Sequence, residues 1–270
     1  MQSGSMKKRV AEEILIRGIS EKERTQIVDR LLGLLKSKYE DDLVFFGLRG
    51  SMARGDYDSI SDIDTVAVIK KGKSISKSLQ YKDIPIDVTI YTYADAKKKV
   101  TDLSGGWWPY VVGGLLEPKV IFEKGNVITK LNKEVDELRS KPENFLQECL
   151  IGGYYEYYSK AIRDYKSKNY AMLRYDAWEL FIMACIDLGL INQQYYTIHG
   201  PNVLNQLNRM KKFLPIDFKE KASLCFHDNI HKVFDGCTYI FKETKRWQKK
   251  FRYNKLPQRK VFNSVREFKL

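Results

Sequence analysis

The run Asp62-Ile63-Asp64-Thr65-Val66-Ala67-Val68-Ile69 constrains the fold of this chain more than any other stretch. Its β-branched residues favour a strand. Alternation along that strand puts Asp62 and Asp64 on one face while Ile63 points into a core. Two further runs read as strands of the same sheet: LVFFGLRG at 43–50 and the alternating IPIDVTIYT at 84–92, with a short strand at 119–124. Ser20-Glu21-Lys22-Glu23 has the pattern of a capping box, and Ile27, Leu31, Leu32 and Leu35 follow at helical spacing, so a helix is expected over 21–38. Helices are also expected at 93–103 and 127–139.

Past Ser140-Lys141-Pro142 the pattern changes: 143–167, 170–188, 201–213 and 218–250 read as helices and no clear strand remains. The expected fold is α+β, with a mixed sheet flanked by helices over 7–140 and a helical bundle with a basic tail over 141–270. At 270 residues and 43% hydrophobic content, the chain can bury a core in each part. The opening MQSGSM reads as an expression scar ahead of a native start at Met6. No apolar run approaches the roughly 18 residues needed to span a bilayer and no signal peptide opens the chain, so a cytoplasmic protein without membrane contact is expected. Cys149, Cys185, Cys225 and Cys237 show no paired spacing, which argues against a zinc ribbon or a disulfide framework.

The paired carboxylates demand a reason. Like charges about 4 Å apart repel by about 1 kcal/mol in water and roughly 4 kcal/mol at an effective dielectric of 20. A divalent cation removes that cost, and oxygen-only ligands suit Mg²⁺, which takes one or two carboxylates plus phosphate oxygens and water. Asp87, flanked by strand formers on a second strand, would complete the set. Upstream, Gly50-Ser51 closes a strand and opens a helix, a junction where backbone N–H groups can meet phosphate. The Ser51 hydroxyl and the Arg54 guanidinium, one helical turn on, can reach the same group. Asp56 and Asp58 read as turn residues between the two halves of the motif. Metal carboxylates beside phosphate donors describe nucleoside triphosphate chemistry.

This pattern of G-S, then S-D-I-D nine residues on, then a distant third Asp, resembles the nucleotidyltransferase fold superfamily of polymerase-β-like enzymes. Within it the chain is most similar to the kanamycin (aminoglycoside) nucleotidyltransferases, through ERTQIVDRLLGLLKSKYEDDLVFFGLRGSMARGDYDSISDID, IPIDVTIYT and, more sparsely, YYEYYSKAIRDY. The resemblance implies metal ligation by Asp62, Asp64 and Asp87, and triphosphate binding by Gly50, Ser51 and Arg54. The family often has Glu where Asp64 and Asp87 stand, a change that preserves a carboxylate. The resemblance also implies a general base at Glu156 and a phosphate-contacting lysine at Lys160. On a helix these two and Arg163 form one stripe, an acid with two cations. The implied reaction is attack of a hydroxyl on the α-phosphorus of a nucleoside triphosphate, with ATP the expected donor, one or two Mg²⁺ ions, and pyrophosphate leaving. In the resembled family the active site lies between two subunits, which implies a homodimer here.

Charge divides the substrate readings. Net charge is +13, but residues 241–270 hold eleven Lys/Arg against two Glu, so the other 240 residues carry only +4. A uniformly basic surface would slow capture of a polycation such as an aminoglycoside; a charge confined to the tail leaves room for an acidic cleft. The leading expectation is transfer to a hydroxyl of a small, aminoglycoside-like acceptor. One alternative is the same chemistry on RNA such as transfer RNA, through the tail KRWQKKFRY, whose cations alternate with aromatics. Another is a non-catalytic nucleotide or nucleic-acid binding protein, against which the intact acid set speaks. His227 and His231 in HDNIH superficially suggest a zincin helix, yet the acid is Asp and no third ligand follows, so ordinary surface histidines are expected there. His199 reads as a turn residue. Trp107 and Trp108, beside glycines, read either as a pocket wall or as a cover for the sheet edge.

Overall fold

A computed structural model describes residues 17–149, 151–198 and 200–251. The opening MQSGSM, His199 and the tail beyond Phe251 lie outside the described residues. The described residues form two compact units, one of residues 17–101 with 113–136, the other of 102–112 with 137–251.

In the first unit, α1 (Glu21–Tyr39) begins on the expected capping box: the Ser20 side chain accepts from the Glu23 N–H, and the Glu23 carboxylate accepts from the Ser20 N–H at 2.9 Å. Five strands follow, β1 (Leu43–Leu48), β2 (Ile63–Ile69), β3 (Ile75–Tyr81), β4 (Ile84–Thr92) and β5 (Lys119–Glu123). Between them lie the short α2 (Gly50–Arg54), α3 (Tyr93–Thr101) and α5 (Gly113–Leu116). The sheet order is β3-β4-β2-β1-β5; β2 and β4 pair in parallel and all other neighbours are antiparallel. Strands β1 and β2 are buried almost throughout, so they read as continuous apolar runs. Strand β3 was not foreseen. It is an exposed edge, and its sequence ISKSLQY lacks the buried alternation that marks the inner strands. The core of this unit joins Val28 and Leu35 of α1 to Leu43, Phe46, Leu48, Ile63, Ala67, Ile86, Val88 and Ile90 of the sheet.

The second unit contains the short α4 (Trp108–Val111), α7 (Pro142–Gln147), α8 (Ile151–Lys166), α9 (Tyr170–Asn192), α10 (Phe218–Ser223) and α11 (Ile230–Lys250); α6 (Val127–Arg139) leads into it. Helix α9 is its axis, buried without interruption from Leu180 to Asn192 and packed against α4, α7, α8 and α11. Two expected long helices are each divided. The stretch 143–167 breaks between α7 and α8, and 218–250 breaks at 227–229, where the Asn229 side chain accepts from the His231 N–H at 2.9 Å and caps α11. The expected helix at 201–213 is a 3₁₀ segment, Gly200–Arg209. Trp108 is buried in this unit edge-on to Phe145 and Tyr195, while Trp107 is exposed.

Candidate active site

The sheet register builds the site in the first unit. In the parallel pair β2–β4, Asp64 stands directly beside Asp87; in the antiparallel pair β3–β4, Ser78 stands beside Asp87. In-register neighbours on a sheet share a face. The Ser78 hydroxyl donates to Asp87 Oδ1. On the other side of Asp64, the residue just past β1 is Arg49, whose N–H donates to the Asp64 carbonyl at 3.0 Å. Its Nη2 lies 3.6 Å from Asp64 Oδ1, with the two side chains 31% and 24% exposed. A transverse row results: hydroxyl, carboxylate, carboxylate, guanidinium. Asp62 sits just before β2 and is exposed.

Gly50 borders this row with φ at +63°, and a Cβ there would lie 2.6 Å from Asp64 Oδ2. Only glycine both adopts that backbone and leaves the carboxylate room. Ser51 follows in the five-residue α2, which ends at Gly55, itself at φ +80° with its N–H on the Ser51 carbonyl at 2.8 Å. Arg54 Nε donates to Asp56 Oδ2 at 3.0 Å, so Asp56 orients an arginine as well as belonging to the turn. Asp58 is a turn residue: its Oδ1 accepts from Ile60 N–H at 3.0 Å and from the Ser61 hydroxyl at 2.9 Å, which holds its carboxyl below the usual range.

A residue the sequence did not disclose fixes the whole loop. Arg24 of α1 is buried, and its guanidinium donates to three backbone carbonyls, those of Ser61 (2.9 Å), Asp62 (3.2 Å) and Asp58 (2.9 Å), with Tyr57 under it at 5.2 Å. The chain that delivers Asp62 and Asp64 to the sheet is therefore tied down by an arginine some forty positions upstream. Its only signal is an arginine at a helix position that the packing pattern turns inward.

The oxygen-only set at Asp64 and Asp87 fits a hard divalent cation that takes few protein ligands and completes its shell with phosphate and water. Among the described residues no three carboxylate, histidine or cysteine side chains converge closely enough to hold a metal ion by themselves. A cation here would therefore complete its shell with ligands from outside the protein, phosphate oxygens and water.

In the second unit, Glu156 and Lys160 share one face of α8. Lys160 Nζ lies 2.7 Å from Glu156 Oε1 and 4.9 Å from the Tyr157 ring centroid. The lysine holds the Glu156 carboxyl below its usual range, and Glu156 raises Lys160 in return. Arg163 does not join that pair: it binds Asp164 through two bonds, Nε to Oδ1 at 2.9 Å and Nη2 to Oδ2 at 3.0 Å. His227 and His231 do not share a helix face. His227 precedes α11 and its Nδ1 accepts from the Asn229 N–H at 2.9 Å, while His231 Nδ1 meets the Tyr165 hydroxyl at 2.6 Å.

Residues 28–150 match the family described as nucleotidyltransferase domain, and residues 126–254 match that described as KNTase C-terminal domain. Among solved structures, a nucleotidyltransferase-like protein from Exiguobacterium sibiricum 255-15 aligns over 85% of this chain and 78% of its own, at 11% identity and a TM-score of 0.40. A comparison with curated proteins found no match.

Proposed function

The chain belongs to the nucleotidyltransferase superfamily, with a second domain similar to that of the kanamycin nucleotidyltransferases, and on that premise we propose that it transfers a nucleoside monophosphate from a triphosphate, ATP in the first instance, to a hydroxyl of a small acceptor. The observation that carries the reading is the register that sets Asp64 beside Asp87, with Gly50 leaving room for the Asp64 carboxylate.

Asp64 and Asp87 would hold Mg²⁺, with Asp62 the third ligand on the resemblance alone, and the ion when bound neutralises charge on the phosphates undergoing displacement. Gly50 admits the triphosphate close to the backbone, and Ser51 and Arg54 donate to its oxygens. In the transfer, the acceptor oxygen forms a bond to the α-phosphorus, the bond from that phosphorus to pyrophosphate breaks, and the hydroxyl proton goes to a carboxylate. Glu156 is the proposed proton acceptor, and Lys160 the cation that keeps it ionised and ready. The acceptor class is aminoglycoside-like and the working unit is a homodimer, both resting on the resemblance; a cytoplasmic location rests on the sequence pattern alone. Among the described residues, no helix is long and apolar enough to cross a membrane.

The test is pyrophosphate release from ATP and Mg²⁺ across acceptors that include kanamycin and transfer RNA. Acceptor-dependent release with small polyhydroxyl amines supports the reading. Release with transfer RNA alone would replace it with the RNA-directed one.

A further inference from the structure

Arg49 enters the carboxylate row without being part of the sequence motif. Its backbone and its side chain both address Asp64, at 3.0 Å through the amide and 3.6 Å through Nη2. The guanidinium is poorly satisfied where it stands: its Nε is buried and meets no hydrogen-bond acceptor. Its stem runs past Gly114, where a Cβ would lie 3.4 Å from Arg49 Cδ. The neighbouring carboxylate is handled differently, since Asp87 takes a neutral donor, the Ser78 hydroxyl. One acid of the row is thus offset by a full positive charge and the other by a hydroxyl.

A guanidinium recognises carboxylate and phosphate through the same planar fork, and a divalent cation on Asp64 would face a like charge at Arg49. We infer that Arg49 is the stand-in cation of the free protein: it occupies Asp64 in the absence of nucleotide, and transfers to the triphosphate when a phosphate-bound metal takes Asp64. This rests on the reading of the row as a metal and nucleotide site. Its consequence is an order of binding. Free metal competes with Arg49 and binds weakly; the metal–nucleotide complex supplies both a cation for Asp64 and an anion for Arg49.

The experiment titrates the intact chain with Mn²⁺ alone and with Mn²⁺ plus a non-hydrolysable ATP analogue, by electron paramagnetic resonance, for the parent protein, R49M, R49K, R54M and D64N. R49M is expected to bind Mn²⁺ alone about two- to fivefold more tightly, the range of a partly exposed ion pair, and the Mn²⁺–nucleotide complex more weakly. R49K keeps the charge and stays near the parent for Mn²⁺ alone, which also covers the case in which R49M fails to fold. R54M, whose arginine is held on Asp56, weakens the complex without changing Mn²⁺ alone. An R49M protein whose affinity for Mn²⁺ alone is unchanged or lower, while D64N loses that binding, overturns the role of Arg49 and leaves the metal site standing. If D64N binds Mn²⁺ as the parent does, the row is not the metal site and both readings fall.

Discussion

Asp64 and Asp87 stand side by side on the sheet of the first unit; Asp164 and Asp176 stand side by side between α8 and α9 of the second. The first pair keeps partial access to water and is flanked by Arg49 and the Ser78 hydroxyl. The second is buried: Arg163 neutralises Asp164 through two bonds, while neither oxygen of Asp176 meets a hydrogen-bond donor among the described side chains. Burial, with the neighbouring Asp164 as hydrogen-bond partner and like charge, pushes the Asp176 carboxyl up to about 6. A proton on Asp176 supplies the missing donor, so that pair resolves its repulsion internally. The charged groups facing it, Lys160 and Arg163 on the same side, pull the other way and do not cancel the burial. The sheet pair has no such closed solution, and that difference is the reason to assign chemistry to one pair and structure to the other.

The sharpest way to break this contrast is Asp64→Asn. Turnover should fall by about a thousandfold or more, the scale of losing a principal electrostatic group at a reacting phosphate, with the melting temperature close to that of the parent; retained turnover would end the assignment of chemistry to the sheet pair. Next in size is Arg24→Met, which strands three carbonyls that now share one buried guanidinium. Urea denaturation should show a loss of about 3–5 kcal/mol, and a loss below 1 kcal/mol would mean that the loop before β2 holds itself.

Asp176→Asn addresses the other member of the contrast. Burial, with the Asp164 carboxylate beside it, raises the folded carboxyl from the ordinary aspartate range to about 6. Both states are protonated below about 4, so stability falls as pH rises from there through 6 and then levels. In the variant that decline should vanish from melting curves recorded between pH 4 and 7.5, with turnover at neutral pH unaltered. A parent protein whose melting temperature rises across that window would contradict the shared proton. The smallest effect belongs to Lys160→Met. Removing the cation that depresses Glu156 should move the acidic limb of the pH–rate profile upward, and an unmoved limb would free Glu156 from the role of base.

The carboxylates and the glycine of the motif were legible because strand period and turn chemistry are local: β-branched residues and alternation locate β2 and β4, and only their pairing had to be supplied by the fold. Arg49 and Ser78 were not legible, since each acts on a residue at least nine positions away and nothing nearby distinguishes it from a surface residue; Arg24 sits at an inward-turned helix position, but nothing in the sequence points to the carbonyls it binds. Asp176 hides for a different reason. It lies at the edge of an apolar run in α9, where a lone carboxylate reads as the solvated side of the helix, and only the packing of α8 shows that the side is closed. The undivided helices expected over 143–167 and 218–250 show the converse error, in which helical composition outweighed the stop signals at Ser223 to Asn229 and around Cys149.

The pairing of β2 with β4 makes the site obey a parity rule. Asp64 and Asp87 meet only because the strands run parallel in one register, and side chains alternate strictly along each. Lengthening the connection through Lys70–Ser74 by any number of residues leaves the two acids on the same face. Inserting one residue within β4 ahead of Asp87 sends that carboxylate through the sheet, and inserting a second returns it, one step displaced. Length variation among natural or engineered relatives should therefore collect in the first place and be excluded from the second.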